Sequence, residues 1–137
     1  MKLTLQHIWI LRLLIQLHPP DTRSLHNLLF LVAADSLESC DLAFYDFIKT
    51  RSGAFSPSIN HITTELLNQQ LIALDPLKVH QEGRELYYTL GSALKCYETI
   101  LDKCIDIFDR YVSFDQLNNS ISQHLTFRKV KSGTPIF

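Results

Sequence analysis

The six-residue segment Ser52-Gly53-Ala54-Phe55-Ser56-Pro57 constrains the fold of this chain more than any other part of it. Gly53 supplies a turn, and Ser56 is a residue type that caps the N-terminus of a helix. Pro57 then stands at the first helical position, where its missing N–H group costs nothing. The segment therefore predicts a helix that begins at Pro57 and runs to about Gln70, with four inward-facing residues: Ile59, Ile62, Leu66 and Leu67.

Two apolar helical patterns precede this segment. The first covers about residues 3–17 and ends because Pro19 disfavours the helical conformation at His18. Asp21 or Thr22 can cap the second, at about residues 23–37, whose apolar side chains recur at i, i+3, i+4, i+7 and i+8. Residues 42–51 mix aromatic and polar side chains and predict either a strand or a helical turn.

The pattern changes after the central helix. Residues 71–74 predict a short strand, and Asp75-Pro76 then turns the chain. Residues 84–90 are aromatic and partly alternating, so we expect them to pair with residues 71–79 as a hairpin through a turn at residues 80–83. A helix from Gly91 to Val112, a short helix at about 114–124 and an irregular basic tail complete the prediction.

Helices followed by a short extended piece, a capped helix and a hairpin form the order of a winged helix-turn-helix. We therefore predict a mainly α fold with a small β-hairpin (α+β), in which C-terminal helices from about residue 91 extend a winged-helix-like core. The chain has 137 residues and 46% hydrophobic content, which suffices for one ordinary core. The predicted organisation is a single domain at residues 1–125 and a basic tail at residues 126–137.

Three features together resemble a known pattern: Phe44-Tyr45-Asp46-Phe47, the Ser52–Pro57 segment, and Leu66, Leu67, Leu71 and Ile72. Over about residues 25–90 the chain resembles the YwgA-like and SocA-like (Panacea) families of small prokaryotic proteins. Ala54 stands where those families usually have proline. The resemblance implies a winged-helix-like interaction domain without catalytic activity, of the kind found in toxin–antitoxin, prophage and defence settings.

Composition excludes some classes of protein. A net charge of −1 excludes a dedicated polybasic nucleic-acid binder, because nonspecific affinity for phosphates requires clustered Lys and Arg. The apolar run of residues 8–17 is too short for a membrane span, which needs about 20 residues. Three cysteines (Cys40, Cys96 and Cys104) without a CxxC pair indicate reduced thiols. We therefore expect a cytoplasmic protein.

Two segments are candidates for contact with nucleic acid. The helix that begins at Pro57 carries polar side chains suited to base edges, namely Asn60, His61, Thr64, Asn68 and Gln69. However, the segment from Ser56 to Leu90 contains only two basic residues, Lys78 and Arg84, against four acidic ones, so its net charge is −2. We therefore favour a solvated polar face over base readout. The second segment is the tail, which carries three cations: Arg128, Lys129 and Lys131. Three charges would make the logarithm of the binding constant fall with the logarithm of the salt concentration with a slope of only about −2 to −3. For this segment we therefore prefer a different interpretation to a phosphate clamp, namely a terminal arm that is docked on another chain or frayed in solvent.

The long C-terminal helix predicts a partner surface, because its apolar residues cover more than the ~100° that one packing neighbour needs. The candidate residues form a heptad-like seam: Leu94, Tyr97, Leu101, Phe108 and Tyr111. An equally open alternative is that the first helix or the segment 114–124 covers this seam within the same chain.

Catalytic patterns do not support an enzyme. The six histidines lack HxxxH, HExxH or Cys/His spacing, and no nucleophile elbow or phosphate-cradling glycine loop is present, so we predict no metal site and no cofactor. The leading hypothesis is a noncatalytic protein-interaction module, antitoxin-like, an adaptor or a complex subunit. The alternatives are a dimeric sequence-specific DNA-binding regulator and a complex subunit that touches nucleic acid only when assembled.

Overall fold

The computed structural model describes residues 2–35, 46–93 and 98–137. Within them the chain is mainly helical with two small antiparallel hairpins, an α+β architecture. The elements in chain order are α1 (Leu5–Leu17), α2 (Thr22–Asp35), β1 (Ile48–Thr50), β2 (Gly53–Phe55), α3 (Pro57–Asn68), β3 (Ile72–Leu74), β4 (Leu77–Val79), α4 (Gln81–Leu90), α5 (Glu98–Asp109), α6 (Phe114–Ser120) and α7 (Leu125–Arg128).

The first two helices form the centre of the core. α1 ends at His18, whose left-handed backbone conformation (φ 51°) precedes the two prolines, as the sequence predicted. Asp21 caps α2 by accepting the Ser24 backbone N–H at 2.8 Å. α2 packs against β2, α5 and α6, so it is buried on nearly all sides and contributes Phe30 to an aromatic cluster with Phe47.

A two-stranded hairpin lies between α2 and α3, and the sequence predicted only its first strand, as one of two alternatives. β1 confirms the strand alternative for the end of the segment 42–51, whereas residues 42–45 lie outside the described part. β1 pairs with β2 through a turn that Gly53 makes possible with a φ of 128°. Residues 36–56 therefore separate α2 from α3, far more chain than the three or four residues of a simple helix-turn-helix turn.

The second hairpin is shorter than the sequence predicted. β3 pairs with β4 around Asp75-Pro76, so the predicted turn is correct, but residues 84–90 are not its second strand. They belong to α4, because Leu86, Tyr87 and Leu90 form one helical face that packs against α1. A Cβ on Gly83 would lie 2.5 Å from the Leu71 carbonyl oxygen, so this glycine permits close helix packing and not the expected turn.

The apolar seam of α5 faces the interior where the structure describes it. Leu101 is only 5% exposed, and Phe108 packs its half-buried ring on Phe114 of α6 at 4.6 Å. α2 and α6 therefore cover the seam within the chain, which removes Leu101 from the predicted partner surface. Tyr111 is half-buried, and Leu94 and Tyr97 lie outside the described residues, as do Cys40 and Cys96.

The last twelve residues are part of the fold. The predicted short helix is present as α6, which is followed by a 3₁₀ turn at Ile121–Gln123. The tail that we expected to be irregular instead begins in α7, and the residues after α7 pack beside β1. The Ile136 N–H donates to the Phe47 carbonyl at 2.8 Å, and Ile136 is buried. The prediction of an arm that is frayed or docked on another chain is wrong for this segment.

Candidate functional site

Helix α3 is anchored at its first turn by side-chain hydrogen bonds. The Ser56 Oγ accepts the Ile59 N–H at 3.2 Å, which is the N-cap that the sequence predicted. The same hydroxyl donates to Asp46 Oδ1 at 2.5 Å, while Asp46 Oδ2 accepts the N–H and the hydroxyl of Ser58 at 2.9 and 2.6 Å. Burial acts to raise the pKa of Asp46, but the hydrogen bonds from Ser56 and Ser58 outweigh it and hold that pKa below its ordinary value.

His26 fixes the same turn from α2. Its Nδ1 accepts the Ser56 backbone N–H at 2.9 Å, and its ring stacks on Phe55 with 4.9 Å between centroids. Burial lowers the pKa of His26 to about 4, although the charge of Asp46 acts in the opposite direction. Since the Ser56 hydroxyl donates to Asp46 and not to the imidazole, this is not the geometry of a nucleophilic triad. The three polar groups position α3.

The outer face of α3 is exposed, as expected for a recognition or solvated surface. All five residues singled out in the sequence are on the surface: Asn60, His61, Thr64, Asn68 and Gln69. The His61 side chain is 74% exposed and its Nε2 lies 2.8 Å from Glu65 Oε1, which also lies 3.3 Å from Nε2 of the buried His7. α3 carries no Lys or Arg, so its face is neutral to weakly acidic.

The structure does not gather the other predicted nucleic-acid contacts around α3. Arg84 lies half-buried on α4, not on a wing strand. Arg128, Lys129 and Lys131 are exposed near α7, which packs on the 3₁₀ turn, whereas α3 packs on α1 and β3. Lys49 secures this C-terminal region, since its Nζ donates to the Phe127 and Val130 carbonyls at 3.1 and 3.0 Å.

A polar cleft that the sequence did not reveal lies beside the β1–β2 turn. Its cavity of about 180 Å³ is lined by residues from α2, the hairpin, α6 and the 3₁₀ turn, including Arg23, Arg51, Ser52, Asn118, Asn119 and Ser122. The Arg23 Nε donates to the Ser52 carbonyl at 2.6 Å, which fixes the guanidinium against the hairpin. Neither arginine forms an ion pair with a carboxylate of residues 2–35, 46–93 or 98–137.

A buried amide network builds the floor of this cleft. The Asn27 Nδ2 donates to Asn118 Oδ1, and the Asn118 Nδ2 donates to Ser24 Oγ, both at 3.0 Å. The Asn27 Oδ1 also accepts the Ala54 N–H at 3.0 Å. Such a network rigidifies a site when every member is satisfied. The sequence offered no clear signal for Asn27, because it falls between the positions of the apolar stripe of α2, where a polar side chain is ordinarily exposed.

A second cavity joins the cleft to α3. It has a volume of about 140 Å³, shares Arg23 and Ser52 with the cleft, and is also lined by Asn60 of α3. The exposed face of α3 and the arginine cleft are therefore neighbouring parts of one surface. In the described part of the chain, no three His, Cys, Asp or Glu side chains are placed to hold a metal ion.

Comparisons with protein-family models, curated proteins and solved structures find no match to this chain. The resemblance to the YwgA-like and SocA-like families therefore stays a prediction. Among the described helices, none combines the length and the apolar character that crossing a membrane requires.

Proposed function

We propose that this protein is a noncatalytic, winged-helix-like protein-interaction module that acts as an antitoxin-like protein, an adaptor or a complex subunit in the prokaryotic cytoplasm. The observation that carries this proposal is α3, a helix held rigidly at its start and exposing a neutral polar face. α3 is followed by the β3–β4 hairpin, as a recognition helix is followed by its wing. The resemblance to SocA-like proteins supports a defence or mobile-element setting.

The chemistry of α3 favours a protein over nucleic acid as its main partner. Asn, Thr and Gln side chains both donate and accept hydrogen bonds, which suits the peptide groups and polar side chains of another protein. Strong attraction to phosphates needs cations, and α3 has no Lys or Arg, whereas Glu65 would repel a phosphate. The anchoring of Ser56 by His26 and Asp46 also supports binding, because a preorganised surface loses less entropy on association.

A second candidate function is the DNA-binding regulator. The observation that favours it is the position of Arg23, which lines one cavity with Asn60 and the adjoining cleft with Arg51, since arginines position a protein on phosphates while an amide reads a base edge. Dimerisation through the α5 seam has no support, because Leu101 is buried inside the chain.

A matched pair of threonine substitutions tests the leading proposal. Thr64 on α3 and Thr89 on α4 are both exposed helical threonines, so Thr64→Arg and Thr89→Arg add the same charge and bulk to different faces. The protein is cross-linked in its source cells, the captured partner is purified, and its Kd is measured by calorimetry. We expect Thr64→Arg to weaken binding about tenfold or more, as loss of a central contact does, and Thr89→Arg to leave it unchanged.

Two results would contradict the proposal. If Thr64→Arg retained full affinity for the captured partner, the α3 face would not be the interaction surface. If the isolated chain instead bound mixed-sequence duplexes with submicromolar Kd at physiological salt, and changing Asn60 or Asn68 abolished this binding while changing Lys129 did not, the DNA-regulator function would replace it.

A further inference from the structure

We propose that the cleft between Arg23 and Arg51 binds the phosphate groups of a nucleic-acid backbone. This inference goes beyond the protein-interaction function and does not depend on it, because the cleft and the outer face of α3 use different residues. A subunit with both surfaces would hold a protein through α3 and touch nucleic acid within the assembled complex.

The first support is the charge of the cleft. Two arginines elsewhere in the fold have side-chain partners, since Arg110 is paired with Asp35 at 3.2 Å and Arg12 donates to Gln16 at 2.7 Å. Arg23 uses only its Nε, on a backbone carbonyl, and Arg51 makes no hydrogen bond or ion pair with any residue in the described part. Two arginines therefore line one cavity, and none of the described residues in its lining carries a carboxylate.

Asp21, the acidic residue linked through hydrogen bonds to the floor of the cleft, already has hydrogen-bond donors of its own. Asp21 accepts the N–H and the hydroxyl of Ser24 at 2.8 and 2.7 Å, and Ser24 in turn accepts from Asn118 in the floor of the cleft. These donors stabilise the carboxylate without involving either arginine. The guanidinium groups thus remain available for an external anion, for which their planar N–H fork is well suited.

The size of the cleft favours one phosphate group of a longer ligand. Its volume of about 180 Å³ is below the roughly 300–1,000 Å³ of pockets that enclose a whole drug-sized molecule. The side chains of Ser52, Asn119 and Ser122 on its walls add neutral hydrogen-bonding groups of the type that contact phosphate oxygens.

The surroundings of the cleft favour a polyanion over an isolated phosphoryl group. Towards α3, Arg23 also lines the second cavity, which reaches Asn60. Towards the C-terminus, the cleft residue Phe127 is followed by the exposed Arg128 and Lys129. The cleft thus combines two arginines with further cations that begin one residue after its lining, and several positive charges match repeated diester charges better than the single phosphate of a phosphopeptide.

The test is a titration of the full chain, followed by NMR, at low salt of about 50 mM. The probes are short single-stranded and duplex oligonucleotides, inorganic phosphate, and a phosphoserine peptide. We expect saturable oligonucleotide binding with a Kd on the order of 10⁻⁴ M, and shifts centred on Ser52, Gly53, Asn119 and Ser122. Binding should be insensitive to base sequence, with log Kd depending on log salt with a slope of about 2.

Arg51→Gln is the decisive variant because Arg51 is exposed and makes no hydrogen bond or ion pair in the described part of the chain, and Lys78→Gln is its charge-matched control on β4. We expect Arg51→Gln to reduce the salt slope by about 1 and to weaken binding equally for all sequences, while Lys78→Gln changes neither. Arg51→Gln should also leave the affinity of the captured protein partner unchanged. This separates the cleft from the α3 surface.

Four outcomes would overturn the proposal outright, and a fifth would change its ligand. The first is that the NMR shifts caused by oligonucleotides lie outside the cleft, and the second is that Arg51→Gln and Lys78→Gln weaken oligonucleotide binding equally. The third is that the phosphoserine peptide binds more tightly than any oligonucleotide, and the fourth is that no saturable binding occurs at low salt. Saturation by inorganic phosphate without oligonucleotide binding would likewise replace the backbone by a small phosphate ligand.

Discussion

Protonation of His26 should set the acid stability of this fold. Its ring is buried between α2 and the start of α3, and its unprotonated Nδ1 accepts the Ser56 N–H. A proton on Nδ1 would remove this acceptor and place a charge in the core, so the folded state resists protonation. Burial accordingly lowers the pKa of His26 from 6.5 to about 4, against the opposing charge of Asp46.

The sign and the magnitude follow from this difference. As the pH falls below 6.5, the unfolded chain binds a proton at His26 while the folded chain does not, so the free energy of unfolding decreases until the pH reaches about 4. At about 1.36 kcal/mol for each pKa unit, His26 removes about 3 kcal/mol over this window. Asp46 acts separately, because a carboxyl pKa below its ordinary value of 3.8 contributes stability that is lost only as the pH falls further.

Urea denaturation at a series of pH values measures this effect. We expect His26→Asn to be less stable than the wild type near neutral pH, since it loses the stack on Phe55, but to lack most of the decline between about pH 6.5 and 4. His18→Asn is the control, because His18 is exposed and asparagine tolerates its left-handed conformation. Parallel pH profiles for the wild type and His26→Asn would refute the assignment of the decline to His26.

The remaining predictions concern stability and are checked by denaturation midpoints. Ser56→Ala should cost about 1–2 kcal/mol by removing the cap of α3, and an unchanged midpoint would mean that the helix start is not held by this hydroxyl. Gly53→Ala should cost about 2–4 kcal/mol, because the new Cβ would clash with Asn27 Oδ1 at a φ of 128°; retention of the midpoint would show that Asn27 can move away. Leu101→Glu should cost several kcal/mol, whereas Val112→Glu at an 87% exposed site should change the midpoint little. If Leu101→Glu melted normally and altered only light scattering, the α5 seam would be external after all.

Local signals in the sequence predicted the ends of the first three helices well. The Ser56 cap and Pro57 together identify the first turn of α3, because capping depends on residues only three apart. Pro19 likewise predicts the end of α1, and Asp21 the start of α2. Each of these boundaries is determined by backbone chemistry within one turn, so no tertiary information was needed.

The error at α4 arose because two periodicities coincide there. Leu86, Tyr88 and Leu90 alternate as in a strand, but Gly83, Tyr87 and Leu90 recur as on a helix face. α1 decides between them by providing an apolar surface for Tyr87 and Leu90 while Tyr88 stays exposed. Sequence periodicity alone could not reveal that neighbour.

The candidate binding surface was predictable only in part for the same reason. Exposure of the α3 face follows from one helical period, so Asn60, Thr64 and Asn68 were correctly identified as surface residues. The cleft combines Arg23 and Arg51 with α6, and residues so far apart in the chain are brought together only by tertiary packing. Charge counts along the segment 56–90 therefore omitted both arginines.

The buried amide pair explains how such distant segments keep a defined geometry. Apolar packing among α2, β2 and α6 is strong but has little directional preference, so it would allow these elements to slide against each other. Asn27 and Asn118, 91 positions apart, hydrogen-bond to each other, and Asn27 also binds the Ala54 N–H. Any shift would leave at least one of these buried groups unpaired, at a cost of about 1–3 kcal/mol. The same bonds that align the helices therefore hold the turn with Ser52 and Arg51 against α6, which keeps the cleft open in one shape.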